Sequence, residues 1–477
     1  MTERLIGRSD EIKVLSEALQ SNDAELIAVY GRRRVGKTFL IQQVVKSNLV
    51  FECSGIHDAS LSKQLVNFTN SLVSSGYIPT GKRPSDWLQA FQWLTEFFKR
   101  KNGSGKKVIF LDEFPWLHTH RSGFLQAFEH FWNVFASRQE NLVVIICGSA
   151  ASWMIKNVVN NRGGLHNRIT KRIRLLPFTL LESEAYLRSR DVRLDRYQHL
   201  QLYMVMGGIP QYLKEVRKGE SATQAIDRIC FTKDGLLHDE FKNLYHSLFE
   251  LAGKHMDIIR ALAQKSIGLT RNEIIEACRI TSGGRSSVML NELEESGFIA
   301  PFIPFNKTRK ELVYRLTDEY SGFYLRFIEH GKFQGHGSWM TLSREPSIKS
   351  WSGYAFESIC LKHIRQIKKA LEIGAVYTEI SAWRTKPVSG DKGAQIDLLI
   401  DRQDRCINVC EIKYSSGEFT IDKKYQEELS NKLNVFRTQT KTNKTLFLTM
   451  ITTFGVKENV YKTQIVQNEL TMNELFM

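Results

Sequence analysis

Long apolar runs are missing from this 477-residue chain. The longest, Leu142 to Ile155, contains Gly148, Ser149 and Ser152 and falls short of the roughly 20 residues needed to span a bilayer. The opening residues MTERLIGRSDE are too charged for a secretory leader, so a soluble, cytoplasmic protein without membrane contact is expected. Cysteine is sparse and odd in number, seven in all, mostly inside apolar runs, which reads as buried thiols in a reducing compartment. Only Cys406 and Cys410 lie close together, in an expected strand with no second Cys/His pair nearby, and this argues against a zinc site. No internal repeat or low-complexity tract is present.

What the chain does have is a globular composition, 42% hydrophobic and 25% charged, on a length that accommodates two to four domains of about 100–200 residues. Lys and Arg number 66 against 51 Asp and Glu, and this net +15 leans towards polyanionic partners such as nucleotides or nucleic acid.

Residues 1–176 alternate strand-like and helix-like patterns. Buried-strand runs occur at Glu25–Tyr30, Leu49–Cys53, Lys107–Leu111, Leu142–Cys147 and Ile173–Leu176, with an amphipathic helix over Gly123–Ser137, so a parallel sheet covered by helices is expected. From Leu180 to about Lys233 the pattern is helical, broken by Gly207-Gly208-Ile209-Pro210, as in a helical lid over 177–240. Residues 241–330 give a helix, then Thr270–Cys278, a turn, Ser286–Ser296 and two short strands, Phe298–Phe302 and Glu311–Leu316, the order of a winged helix-turn-helix. The polar stretch His330–Ser350 reads as a linker to a last domain, 346–477.

Gly31-Arg32-Arg33-Arg34-Val35-Gly36-Lys37-Thr38 fits the phosphate-binding loop G-x-x-x-x-G-K-[ST] and lies where such a loop must, between a buried strand and a helix. Its glycines let backbone N–H groups face a phosphate, Lys37 brings charge to the β- and γ-phosphates, and Thr38 offers a hydroxyl to Mg²⁺. The strand Val108–Leu111 delivers Asp112 and Glu113. Asp112 is expected to support Mg²⁺, and Glu113, placed on the other face of the pleat, to polarise the attacking water. Ser149, ending the next strand, suits either a γ-phosphate sensor or a helix N-cap. Lys156–Arg174 carries six basic residues and no acidic one, and Arg168 within it could reach the γ-phosphate of its own or a neighbouring subunit, which leaves a homo-oligomer open.

These residues resemble the archaeal-ATPase family of AAA+/STAND-type proteins, which is also found in bacteria. The similar features are Ile6-Gly7-Arg8, the GRRRVGKT loop, LDEFPWL at Leu111–Leu117, CGSAASWM at Cys147–Met154 and GGIPQYL at Gly207–Leu213. The resemblance implies an ATP-hydrolysing engine in which Gly7 and Arg8 border the adenine and Gly208 with Pro210 forms the lid signature. It also implies a winged helix followed by a restriction-endonuclease-like domain. One departure bears on Arg168: Asn167 stands where the family often has glycine.

A second constellation lies near the C-terminus. Ile396–Ile400, containing Asp397, and Ile407–Tyr414, containing Glu411 and Lys413, read as a β-hairpin that places the Glu-x-Lys pair on one face. Charges inside an apolar strand are costly unless they bind a metal or a polar substrate, and two carboxylates with an ammonium group suit Mg²⁺ at a scissile phosphate. The helix expected over Tyr354–Leu371 adds Glu357. This arrangement resembles the PD-(D/E)XK nuclease superfamily, although Ile396 replaces the proline. In the winged helix, Ser282, Arg285 and Ser286 are candidate groove residues and Lys307, Arg309 and Lys310 a candidate wing, but Glu292, Glu294 and Glu295 would repel a phosphate backbone, so DNA contact and a hinge role stay open.

The expectation is therefore a multidomain α/β protein: a P-loop AAA+ parallel sheet with helical lid, a winged helix-turn-helix and a restriction-endonuclease-like α/β domain. It would bind ATP, Mg²⁺ and DNA, with ATP gating or powering cleavage, or else act as an ATP-dependent switch whose last domain binds nucleic acid or a protein without cutting.

Overall fold

The computed structural model describes residues 4–79, 81, 83–101, 103, 105–159, 165, 167–331, 335–343, 345–385 and 393–477. The chain divides into two compact units. The first comprises Met1–Pro177, Ser247–Glu250 and Val288–Gly297, and the second Phe178–His246, Leu251–Ser287 and Phe298–Met477.

The first unit is built on β1 (Glu25–Tyr30), β2 (Leu49–Ser54), β3 (Lys107–Asp112), β4 (Leu142–Gly148) and β5 (Lys171–Arg174), all parallel, in the order β2-β3-β4-β1-β5. Runs such as LVVIICG are apolar throughout because both sheet faces are covered, and every residue of β4 is buried. Helices Leu61–Ser74, Trp87–Arg100 and Phe124–Val134 enclose an aromatic layer containing Phe51, Phe68, Trp87, Phe91, Phe97 and Phe128. Two of these helices start on side-chain caps: Ser60 accepts from Lys63 N and Asp86 from Gln89 N. The last strand begins and ends two residues earlier than expected, because its pairing runs from Ile27 opposite Lys171 to Tyr30 opposite Arg174.

In the second unit, helices Leu180–Ser189, Arg196–Met206, Pro210–Leu213 and Ala222–Ile226 follow one another. The break between the second and third needs glycine. Gly207 has φ +60°, and a Cβ on Gly208 would lie 1.9 Å from the Phe178 carbonyl oxygen. Helix Arg271–Ala277 accompanies a three-stranded antiparallel sheet of β6 (Leu269–Thr270), β7 (Ile299–Phe302) and β8 (Val313–Leu316), ordered β6-β8-β7, and helix Gly284–Glu295 crosses from this unit into the first at Val288.

The C-terminal part carries a mixed sheet of β9 (Thr378–Arg384), β10 (Gln395–Arg402), β11 (Cys406–Lys413), β12 (Thr445–Thr452) and β13 (Asn468–Leu470), ordered β13-β12-β11-β10-β9. β9, β10 and β11 pair antiparallel, and β11, β12 and β13 pair parallel.

The stretch read as a linker is largely built into the fold where it is described. Helix Ser338–Leu342 is capped by Asp227, whose carboxylate accepts from Gly337 N and Trp339 N, and Trp339 joins Phe231, Phe323, Phe327 and Trp351. Its polar composition concealed this because the burial rests on a few residues, Trp339, Leu342 and Ile348. The helix expected at Tyr354–Leu371 begins earlier, at Pro346, where proline is favoured in the first turn, and breaks at His363 before Ile364–Ala370. Among the described residues no helix is long and apolar enough to cross a membrane.

Candidate functional site

The loop after β1 has the backbone that its glycines allow. Gly31 has φ +151°, and a Cβ there would meet the Leu175 carbonyl oxygen at 2.3 Å, while Gly36 needs glycine for its φ of +89° alone. Arg34 also takes a left-handed conformation, φ +72°. Lys37, 6% exposed, curls back so that Nζ donates to the carbonyls of Gly31 and Arg32, both at 3.0 Å, which closes the loop on its own first residues. Arg32 is buried, Val35 is buried, and exposed Arg33 lies over the Trp116 ring at 5.7 Å.

Thr38 Oγ1 donates to Asp112 Oδ2 at 2.8 Å, so the loop and the end of β3 meet. This hydroxyl and carboxylate are the hard oxygen donors that suit Mg²⁺ beside a triphosphate. Glu113 is not a strand residue as expected. β3 ends at Asp112, and Glu113 turns into the left-handed region, φ +43° and ψ +47°, as the residue before helix Phe114–Leu117. That turn, and not pleat alternation, sends its carboxylate away from Asp112. Glu113 Oε1 accepts from the Ser149 hydroxyl and Oε2 from Ser149 N at 3.2 Å, so these two residues are direct partners.

Gly7, φ +65°, and Arg8, φ +62°, precede the first helix. Arg8 is buried, and its guanidinium donates to the carbonyls of Leu176 at 2.7 Å and Val35 at 3.2 Å, tying the phosphate loop to the segment after β5. Arg168 is exposed in the turn before β5. Of the basic run around it, residues 160–164 and 166 lie outside the described residues. Arg174 donates to the carbonyls of Glu294 and Glu295, the last turn of helix Gly284–Glu295, where positive charge is favoured. Of the candidate groove residues, Ser286 is buried, donates to the Gly283 carbonyl and receives Arg271, so it faces inward. Lys307 pairs with Glu311 at 2.7 Å.

The C-terminal carboxylates gather in one place. β10 and β11 pair with Leu398 opposite Cys410, and one step further along this register brings Asp397 opposite Glu411. Glu411, 2% exposed, is surrounded by donors: Tyr425 Oη at 2.7 Å, Lys432 Nζ at 2.8 and 3.0 Å, and Lys413 Nζ at 2.9 Å. Burial alone would raise its pKa, but Lys413 and Lys432 outweigh it and hold the carboxyl below the usual range. Asp397 receives Gln395 Nε2 at 2.8 Å, and burial with the charge of Glu411 pushes it up. Glu357 is pushed to about 8 by burial and by Asp397. Arg315, from β8, lies near enough to both to favour their charged forms.

The fold thus brings Glu357, Asp397, Glu411 and Lys413 near one another, and adds Lys432, Tyr425 and Arg315, which the sequence pattern does not single out. Tyr425 and Lys432 lie seven apart on helix Lys423–Thr440, two helical turns on one face, and that spacing was the available signal. Among the described residues no three His, Cys, Asp or Glu side chains converge as a complete metal-binding set. A cation here would rest on two carboxylates, with water and phosphate completing its shell, which is how Mg²⁺ is commonly held.

A glycine loop between buried strand and helix, a lysine folded over it and a Thr–Asp pair at the carboxyl edge of a parallel sheet define a P-loop ATPase domain, which binds ATP. In agreement, residues 5–216 match a family of ATPase domains found predominantly in Archaea. Residues 324–429 match a family of archaeal and bacterial proteins of unknown function. An uncharacterized protein of Methanocaldococcus jannaschii is 22% identical over 438 residues, 90% of this chain and 91% of that one. An uncharacterized ATP-binding protein of the same organism is 39% identical over 49 residues, 10% of this chain and 83% of the relative. In fold, the chain is similar to the Walker-type ATPase of Pyrococcus abyssi, with a TM-score of 0.50 and 18% identity over 68% of this chain and 96% of that one.

Proposed function

We propose that this chain is an AAA+ ATPase that gates or powers a Mg²⁺-dependent DNA nuclease. In this reading 1–176 is the ATPase core, 177–240 the lid, 241–330 a winged helix-turn-helix and 346–477 a PD-(D/E)XK-like nuclease domain. The P-loop amides and Lys37 bind the phosphates. Glu113 orients and polarises the attacking water, Ser149 sets the direction of Glu113, and Arg168 supplies positive charge to the γ-phosphate of its own or a neighbouring subunit. Thr38 and Asp112 would hold Mg²⁺, whose chemistry there is to neutralise charge on the phosphates.

The observation that carries the nuclease part is the convergence of half-buried Asp397 and Lys413 on buried Glu411, with Glu357 close enough for Asp397 to raise it. Neighbouring carboxylates that raise one another cost free energy that a phosphate-bound cation would relieve, and the raised Glu357 and Asp397 fit that role. Asp397 and Glu411 would hold that ion, and Lys413 would stabilise charge developing on the phosphate.

A second reading, an ATP-dependent switch whose last domain binds nucleic acid or a protein partner without cutting, draws on one feature: both Glu411 oxygens already engage Lys432. One experiment separates the two. Purified protein is incubated with linear, circular and single-stranded DNA and Mg²⁺, with and without ATP, alongside Lys37→Ala, Glu411→Ala and Lys413→Ala. The nuclease reading expects cleavage that Glu411→Ala and Lys413→Ala abolish and Lys37→Ala uncouples from ATP. DNA binding without cutting in every arm establishes the switch reading instead.

A further inference from the structure

Helix Leu61–Ser74 spends two of its polar side chains on backbone beside the acidic turn. Gln64 is fully buried, 0% exposed. Its Nε2 donates to the carbonyls of Ile56 at 2.7 Å and Trp116 at 2.8 Å, and its Oε1 accepts from Ile56 N at 3.2 Å. Both amide hydrogens and the oxygen are therefore used, which fixes the orientation of the group, since turning it over would set its oxygen against two carbonyls. One turn along, Asn67 Nδ2 donates to the Ser54 carbonyl at 2.7 Å. The loop that Gln64 and Asn67 hold lies against the turn after β3: Gly55 N donates to the Asp112 carbonyl at 2.9 Å, and a Cβ on Gly55 would come within 2.6 Å of the Glu113 carbonyl oxygen.

Glu113 needs such support. A non-glycine residue in the left-handed region returns to other conformations unless its surroundings hold it. The turn is gripped on one side at Asp112 by Gly55 and on the other at Trp116 by Gln64, and Trp116 N closes it on the Glu113 carbonyl at 2.8 Å. The Trp116 ring also carries Arg33 of the phosphate loop.

We propose that Gln64 is a positioning residue for ATP hydrolysis, acting through the Trp116 carbonyl and the Gly55–Ile56 loop to hold Glu113 in its left-handed conformation. This rests on the reading of Glu113 as the residue that polarises water. Loss of the amide displaces the Glu113 carboxylate while the phosphate loop, Lys37 and Thr38 stay in place, so turnover suffers and nucleotide binding does not.

The test compares the parent protein, Gln64→Glu, Glu113→Gln and the double variant, measuring kcat and KM for ATP, affinity for a fluorescent ATP analogue, and Tm. Gln64→Met, which keeps chain length and packing without hydrogen bonds, serves where the glutamate variant does not fold. Expected are a fall in kcat of about 10- to 100-fold, the scale of a small misplacement of a catalytic group, with analogue affinity within about twofold of the parent. No further loss is expected in the Glu113→Gln background, since the two act as a unit. A Gln64 variant that turns over like the parent overturns the proposal, as does one that loses affinity in step with kcat, or one whose loss simply multiplies with that of Glu113→Gln. If Glu113→Gln itself hydrolyses ATP at the parental rate, the reading of Glu113 fails first, and the Gln64 proposal with it.

Discussion

Asp112 and Glu411 are both strand carboxylates, each almost fully buried, yet they are satisfied in opposite ways. The Asp112 oxygens accept from neutral donors, the Thr38 hydroxyl and Glu113 N. Glu411 accepts from two ammonium groups and a phenol. The Asp112 donors come from the next residue and from the end of a continuous loop motif. Those of Glu411 come from its own strand and from a helix across a turn. A carboxylate satisfied by neutral hydrogen bonds has no cation bound to it by the fold, whereas one matched by lysines is already paired, although its charge still reaches Asp397. Burial is the main cause that pushes Glu357 and Asp397 upward, with the charge of Asp397 adding to it at Glu357 and that of Glu411 at Asp397.

The largest effect that sharpens this contrast is expected at the phosphate loop. Lys37→Ala should reduce ATP turnover by about 100-fold or more, the usual scale for removing a charge aimed at the transition state. It should also leave the urea midpoint of the second unit unchanged. A coupled loss of that unit's stability would show that the two acidic sites are not independent.

Lys432→Met comes next. It leaves buried Glu411 with Lys413 as its sole ammonium partner and should cost about 2 kcal/mol, the scale of a hydrogen bond to a charged group. Thr38→Val, which removes one neutral donor from Asp112, should cost about 1 kcal/mol. Equal costs by urea denaturation would break the distinction drawn between the two carboxylates.

Glu357 gives a pH signature. With a folded pKa of about 8 against 4.5 for the free side chain, the native state keeps a proton that the unfolded chain has already lost between those values. The stability contributed by this group is therefore full below about pH 4.5 and declines as pH rises through 8. Glu357→Gln should flatten the decline and raise Tm at pH 8 relative to the parent, by about 2–4 °C for each kcal/mol relieved. A variant less stable than the parent at pH 8 would mean that Glu357 is charged and paired.

His363 is expected to give the smallest change, with the opposite slope. Its Nε2 accepts from Leu180 N and its Nδ1 faces the Ile359 carbonyl, and burial lowers it to about 4. Between about pH 6.5 and 4 the unfolded chain takes up the proton first, so stability falls as pH falls, and His363→Gln should weaken that acid sensitivity in a thermal-melt series.

Much of this was legible in the order of residues. The P-loop could be read because each part of it acts on its immediate neighbours: Gly31 and Gly36 on backbone conformation, Lys37 on carbonyls five and six residues back. The Asp397–Glu411–Lys413 hairpin could be read because period-two alternation places charges on a face whatever the rest of the fold does. Glu113 was misjudged because strand alternation was extended one residue too far, and nothing in Leu111–Phe114 marks the left-handed turn. The stretch around Trp339 reads as a linker because composition averages over residues, while burial there depends on Trp339, Leu342, Ile348 and a cap from Asp227.

By itself the sequence determined the phosphate loop, the parallel order of strand and helix, and the placing of Glu411 and Lys413 on one face of a strand, since each follows from sterics or alternation over a few consecutive residues. Only the tertiary structure decided which groups satisfy those carboxylates. Gln64 beneath the Glu113 turn, Lys432 and Tyr425 around Glu411, and Arg315 beside Glu357 come from elements remote along the chain, and a buried charge takes its energy from whatever the fold brings within a few ångströms.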